Sequence, residues 1–422
     1  MRVLIATDAF PPVCGGSGWS TYELARGLRA RGHYVGIVQP QTRAGEQLPS
    51  YDGFEPLAFP ATAPSVPFVR NYVRNERLYA RLTPFLADLI RRDRFDVVHG
   101  QHLLTCLPAT RAARLAGIPS VCTIRDYWPI CYWSDLLQDV PTATLCPGCS
   151  ASAMTRCIPS HAGSAWPLAL PWIPYMRSNL EMKQRDLSAA DAVVAVSHSV
   201  ASDLRSRSGA LSAARIEVIP NGVDIARTRS AVTSSSRPLA EPYALFVGKV
   251  AHNKGIGSLV EVLQLSRLSM PLVVVGEGPE QEWLSRTAAA ANVDVRLVGW
   301  QDRDAVFRWM HHSCLMIFPS GWREPLSRVL IEATALGVPV AALNTGGTAD
   351  IVVDGTTGLL ARTASDLSAA VARLASDAEL RRRLGDAAAA HASAEFDLPI
   401  VVNRMERLYD DVRAVRGSRK GA

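Results

Sequence analysis

Short apolar runs alternate along this chain with stretches of helical periodicity, and the alternation occurs twice. In the first half, Val3–Thr7, Val35–Gln39, Asp96–His99, Ser120–Ile124, Ala192–Val196 and Ile216–Ile219 are β-branched and almost continuously apolar. Strands of a parallel sheet read this way because helices cover both faces. Between them, Trp19–Arg31, Leu103–Ala116 and Val200–Arg207 carry amphipathic helical spacing. The small polar run 232–238 breaks the pattern and predicts a linker. A second set of strands follows at Ala244–Val247, Leu272–Val275, Val295–Val298, Leu315–Phe318 and Val338–Ala341. Leu367–Ala390 predicts one long helix and Val401–Val415 a closing helix, with Gly417–Ala422 frayed.

This pattern predicts an α/β protein of two doubly wound, Rossmann-like halves. The expected divisions are 1–230, with an insert at about 127–175, then 231–395, then a closing helix and tail at 396–422. In such sheets ligands bind beyond the carboxyl ends of the strands, so the expected site is a cleft between the halves.

Composition narrows the classes. With 48% hydrophobic residues, the 422-residue chain can build cores, which excludes disorder, coiled coil and collagen. No run approaches the ~20 apolar residues of a membrane span. The first strand begins too early for a signal peptide, so a cytoplasmic protein is expected, with peripheral contact at the inner membrane face compatible. A net charge of +6 is mild, and no nucleic-acid partner is expected.

The chemistry concentrates in strand-to-helix turns. Cys14-Gly15-Gly16-Ser17-Gly18 follows the first strand, and its glycines let an anion approach a helix start. It lacks the spaced dinucleotide fingerprint, and Gln39-Pro40 supplies no acid after strand two, which counts against a dehydrogenase. Lys249 and Lys254-Gly255 set two ammonium groups after a strand, suited to a diphosphate. Glu324 and Glu332 stand eight apart, about 12 Å along one helix axis, with Pro325 suited to its first turn. They read either as contacts to a sugar and a ribose or as ordinary acids on a solvated helix.

Taken in order, these pieces resemble the family-4 glycosyltransferases of the GT-B fold over nearly the whole chain. The matching residues include Gly15-Gly16, Gly32-His33, Asp96-Val97-Val98-His99 and Ile219-Pro220-Asn221-Gly222. Lys249, Lys254-Gly255, Gly276-Glu277-Gly278-Pro279, the Glu324/Glu332 pair and Gly346-Gly347 complete the set. The resemblance implies a retaining transfer from a nucleotide-diphosphate sugar to a hydroxyl of a glycan, glycolipid or small molecule, with no metal required. It implies that Lys249 and Lys254 hold the diphosphate, Glu324 the sugar and Glu332 the ribose. Gly15 and Gly16 would offer backbone N–H groups to the phosphate, the base would lie near Gly299-Trp300, and Gly346 belongs to the donor site. A nucleotide-sugar-binding subunit without activity, or another GT-B enzyme such as a phosphorylase, shares the same features.

Three positions depart from the family pattern. Lys249 stands where Arg is usual and Ser327 where Gly is common. Arg125-Asp126 replaces a frequent His-Asp pair, and arginine is no base at neutral pH. A proton-accepting or acceptor-orienting role then shifts to Asp126 or elsewhere, and Asp126 reads equally as a helix cap or a partner of Arg125.

Cys131, Cys146, Cys149 and Cys157 fall just beyond, with a C-x-x-C knuckle at 146–149. They predict a structural zinc site, with an iron–sulfur cluster, a redox disulfide or plain buried thiols as alternatives. The apolar, Pro-broken run 165–176 reads as an acceptor rim, a membrane contact or a packed loop. Arg70, Arg74, Arg77 and Arg81 form one helical stripe, either anion-binding or solvated and partly paired by Glu76.

Overall fold

Two parallel sheets organise the chain. The computed structural model describes all residues except 44, 46, 67, 68, 141, 421 and 422, and of 419 and 420 only the backbone. The first strands are β1 (Arg2–Ala6), β2 (Tyr34–Gln41), β3 (Leu57–Pro60), β4 (Val97–Gly100) and β5 (Ser120–Ile124). After a hairpin of β6 (Leu137–Asp139) and β7 (Thr144–Leu145) come β8 (Ala192–Ala195) and β9 (Ile216–Val218). The rest are β10 (Ala244–Val247), β11 (Leu272–Val275), β12 (Val295–Gly299), β13 (Leu315–Phe318), β14 (Val340–Leu343) and β15 (Gly358–Ala361).

The first sheet runs β3-β2-β1-β4-β5-β8-β9 and the second β12-β11-β10-β13-β14-β15. Val3 pairs with both Val35 and Val97, and Ala244 with both Leu272 and Leu315. Every residue of β4, β5, β8, β10, β11 and β13 is buried, which is why these strands carry unbroken apolar runs. In each sheet the winding reverses beside the first strand, between β1 and β4 and between β10 and β13. A crevice opens at the carboxyl end of such a reversal.

The chain forms two compact units. One comprises Met1–Ser134, Trp172–Gly222 and Leu398–Ala422, the other Asp135–Pro171 and Val223–Asp397. The closing helix, Leu398–Lys420, belongs to the first unit and packs on the Gly16–Ala30 helix. Its Val402, Met405, Leu408 and Val412 join a core with Val3, Ile5 and Leu28. Glu406 takes His33 Nε2 at 2.6 Å and pairs with Arg31. Tyr409 Oη lies 2.6 Å from Nδ1 of the buried His99, whose Nε2 meets Thr123 Oγ1 at 2.7 Å. Burial, then the Arg125 charge, push the His99 pKa well down, so this ring is neutral.

Several elements differ from expectation. The predicted Leu367–Ala390 helix is two, Ala364–Ser376 and Ala378–Glu395. Asp377 divides them, its carboxylate capping Leu380 N at 2.8 Å. The closing helix continues through Lys420 where fraying is expected from Gly417, and residues 421 and 422 lie outside the described residues. The run 165–176 is not a loop: short helices Trp166–Ala169 and Leu170–Trp172 lead into Ile173–Ser188. A π-turn over Val73–Arg77 interrupts the arginine stripe, and Glu76 turns away from it to Tyr175 Oη (3.0 Å) and Asn179 Nδ2 (2.8 Å).

The cysteines gain no support as a metal site: no three His, Cys, Asp or Glu side chains among the described residues are gathered so as to hold a metal, and the zinc expected on Cys131, Cys146, Cys149 and Cys157 stays an expectation. Ser134 is followed by the crossing into the second unit, which separates Cys131 from the other three along the chain. The thiols of Cys146 and Cys157 donate to the carbonyls of Gly148 and Met154. Asp135 does the fastening: its Oδ2 meets His161 Nε2 at 2.9 Å, and its carbonyl accepts the Trp322 indole N–H at 2.8 Å.

Two outcomes are expected. Tyr409→Phe leaves a buried His99 nitrogen unpartnered and should cost about 1–3 kcal/mol, read as a lower urea midpoint at unchanged slope. For His161, burial opposes the charge, but Asp135 and the Cys157 carbonyl outweigh it and raise the pKa. Its contribution is full below the ordinary histidine value of about 6.5 and fades as pH rises through the raised one. His161→Ala should therefore destabilise more at about pH 6 than at about pH 9 in paired urea titrations; an equal loss at both would refute the ion pair.

Candidate active site

At the reversal of the second sheet, two of the predicted donor residues, Lys254 and Glu324, come together. The chain leaves β10 through Gly248 and Lys249, makes a short turn over His252–Lys254, and reaches Gly255 at φ 81°. A Cβ at Gly255 would stand 1.8 Å from the Pro319 carbonyl oxygen, so glycine alone lets this turn lie against the end of β13. That approach sets Lys254 Nζ 2.7 Å from Glu324 Oε2, with Ser320 Oγ 3.4 Å from the same oxygen. Lys254 also stands 4.9 Å from the centre of the Trp322 ring. Glu324 is 7% exposed, and a carboxylate so enclosed needs a cation beside it. Its backbone is fixed from the other side: Gly346, at φ 55°, has no room for a Cβ against the Glu324 carbonyl, which accepts Gly347 N–H at 2.7 Å.

Glu324 precedes the helix rather than sharing it with Glu332, so the single-axis separation does not apply. The helix is Arg328–Ala335, and Ser327 caps it by accepting Leu330 N at 3.4 Å. The serine found where glycine is common therefore has a structural use, and Pro325 lies outside the first turn. Glu332 is buried and pairs with Arg328 Nε at 2.9 Å and Arg303 Nη2 at 3.5 Å. Trp300, following Gly299 at the end of β12, is 71% exposed, and its N–H donates to Glu277 Oε1 at 3.2 Å. Lys249 is exposed, with no side-chain partner among the described residues. A cavity of about 450 Å³ adjoins these loops, lined in part by His252, Trp283, Pro319 and Gly321.

In the first unit, Gly15 precedes the Gly16–Ala30 helix, whose first turn carries no acid and whose leading amides have no intrahelical acceptor. Across the reversal, Asp8 follows β1, and its carboxylate accepts Leu104 N at 3.0 Å and Thr105 Oγ1 at 3.1 Å. His102 follows β4 and stands between two carboxylates: Nδ1 is 3.4 Å from Asp8 Oδ2 and Nε2 3.1 Å from Asp126 Oδ2. Asp126 Oδ1 also accepts Trp128 N at 2.9 Å; this closes a turn in which no helix starts, so Asp126 is not the helix cap that the sequence allowed. Burial pulls the His102 pKa down, but the charges and hydrogen bonds of Asp126 and Asp8 outweigh it and raise it to about 10. Arg125 turns elsewhere, donating to Gln101 Oε1 (2.6 Å), the Gln101 carbonyl (3.0 Å) and Asn221 Oδ1 (3.0 Å). Sequence reasoning missed His102; its signal was a histidine just past the end of a predicted strand.

Residues 14–227 match the model of Glycosyltransferase Family 4, and residues 231–391 that of Glycosyl transferases group 1. The glycogen synthase of Mycobacterium tuberculosis is 27% identical over 441 residues, spanning 100% of this chain and 96% of that protein. Among solved structures, sucrose-phosphate synthase from Thermosynechococcus elongatus superposes with a TM-score of 0.69 at 19% identity, covering 98% of this chain and 100% of that one. Anabaena HepE in complex with UDP gives 0.68 at 18% identity, covering 97% and 100%. These structural likenesses are of fold, two Rossmann-like α/β domains of the GT-B type. With the family model spanning residues 14–227 and its companion 231–391, the chain belongs to glycosyltransferase family 4.

Proposed function

We propose that this glycosyltransferase, moving sugar from a nucleotide donor to an acceptor, works with retention at the anomeric carbon and delivers the sugar to a carbohydrate hydroxyl. The observation that carries the donor assignment is the Lys254–Glu324 pair at the carboxyl ends of β10 and β13. In this reading Lys254 and Lys249 meet the donor diphosphate, and their charge stabilises the leaving group as the glycosidic bond breaks. Glu324 receives sugar hydroxyls, Glu332 the ribose hydroxyls, and Gly299-Trp300 and Gly346 flank the nucleotide. Gly15 and Gly16 supply anion-binding amides from their helix start. Retention rests on the family resemblance; Glu324, tied to an ammonium, is assigned to binding hydroxyls and not to nucleophilic attack. Asp126 is assigned to the acceptor. The relatives solved with UDP and UDP-glucose support a uridine nucleotide with glucose as the first donor to test. The donor chemistry supports a cytoplasmic setting, where nucleotide sugars are pooled. Among the described residues no helix is long and apolar enough to cross a membrane.

A thermal-shift screen across UDP, ADP, GDP and their glucose or mannose conjugates should single out one base. At a hundred times its Kd a ligand stabilises the fold by about 2.7 kcal/mol. An absence of any shift across the panel sinks the donor reading. With the selected donor, Glu324→Gln should lower kcat roughly a hundredfold, because hydroxyl positioning is lost, while the unfolding midpoint stays close to wild type. Wild-type turnover by that variant removes Glu324 from the site. The anomeric configuration of the product, read by proton NMR, tests retention.

A further inference from the structure

The first sheet offers a cluster that no motif supplied. Three consecutive strands at its centre, β1, β4 and β5, are followed at their carboxyl ends by Asp8, His102 and Asp126 respectively, and the three side chains form one row. The outer members are anchored on backbone: Asp8 caps the start of the Leu103–Ala116 helix, and Asp126 holds the turn at Trp128. The imidazole spans the space between. The side chains are 20%, 23% and 21% exposed in that order, so the row reaches solvent at the strand ends.

We propose that His102 is a positioning residue for the acceptor: its ring, set between Asp8 and Asp126, fixes Asp126 Oδ2 where the incoming hydroxyl is received. This rests on the reading that the enzyme glycosylates a hydroxyl and that Asp126 serves it. An ionised carboxylate accepts a hydrogen bond from a hydroxyl and makes its oxygen more nucleophilic, whereas a neutral carboxyl can donate and compete. An imidazolium between two carboxylates leaves the row one net negative charge, and its N–H holds the Asp126 carboxylate in one orientation. Arg125 donates to Gln101 and Asn221.

Other charged groups act on the row. Arg125 precedes Asp126 in the chain, and Lys183, on the Ile173–Ser188 helix, is buried and feels the Asp126 charge. Burial lowers the Lys183 pKa to about 8, so above that pH its help to Asp126 fades. His102, raised to about 10, keeps its proton over the wider range. Its stabilising contribution is complete below the ordinary histidine value of about 6.5 and is lost only as pH rises through about 10.

The test uses the full chain with isotopically labelled histidine, the His102 signal being assigned by its loss in His102→Gln. His102 should remain an imidazolium beyond about pH 8, and Asp126→Asn should lower its titration by about one unit or more. With the donor selected by thermal shift, His102→Gln should reduce kcat/KM for the sugar acceptor roughly a hundredfold and leave the donor's thermal shift unchanged. His102→Gln/Asp126→Asn should be no slower than Asp126→Asn alone. Titration of wild-type His102 near its ordinary pKa overturns the proposal, as does wild-type transfer by His102→Gln. If no nucleotide sugar binds, the donor reading has failed, and the NMR titration still decides whether His102 is held by Asp126.

Discussion

A parallel sheet covered on both faces by helices leaves its backbone ends as the places where polar chemistry meets water. Strands such as β4, β10 and β13 are buried along their whole length, so none of their side chains is offered to a small molecule. Function is displaced to the first residues after each strand. Where the winding reverses, two connections leave in opposite directions and do not cover one another. Both sheets have that reversal beside their first strand, and both gather charged residues there: Lys254 with Glu324 in one, Asp8, His102 and Asp126 in the other.

Bringing those residues so close to main chain has steric conditions. The turn carrying Lys254 reaches the end of β13 because Gly255 has no Cβ, and Glu324 keeps its orientation because Gly346 and Gly347 lie on its carbonyl. Such glycines weaken the unfolded-state balance, since they lose more freedom on folding than other residues. The loss is accepted where backbone must approach backbone. The insert 135–171 follows the same economy: Asp135 uses its carboxylate on His161 and its carbonyl on Trp322, and that indole is the ring beside Lys254.

Much of this was legible in the sequence, and the reasons for the remainder are specific. Strands with two buried faces announce themselves by composition, so Ser120–Ile124, Ala244–Val247, Leu272–Val275 and Leu315–Phe318 emerge at their predicted bounds. The edge strands β3 and β15 do not: β3 buries one residue of four, and both are short. Helix starts depend on caps, and Ser327 and Asp377 moved or divided helices that periodicity drew as continuous. The cysteines carry only a local signal, the C-x-x-C spacing, while a four-ligand site is tertiary. His102 was invisible for the opposite reason, since Asp8 and Asp126 lie far from it in sequence and only the order β1-β4-β5 makes them neighbours.

The charge arrangement bears on how a ligand is chosen. Glu324, Glu332 and Asp126 are already compensated, by Lys254, by Arg328 with Arg303, and by His102. A ligand that uses these carboxylates must replace part of that compensation with hydrogen bonds of its own, so charge alone earns it little. A diphosphate can draw Lys254 toward itself only if its sugar hydroxyls satisfy the Glu324 carboxylate left behind. A buried carboxylate deprived of its cation and given no hydroxyl is strongly unfavourable. Inorganic phosphate or a bare nucleotide would meet the first requirement without the second, and so would bind more weakly than the complete donor. In the proposed reading, pairing the acid with the base in advance would favour a complete nucleotide sugar, with the exposed Lys249 and Trp300 left for the first contact.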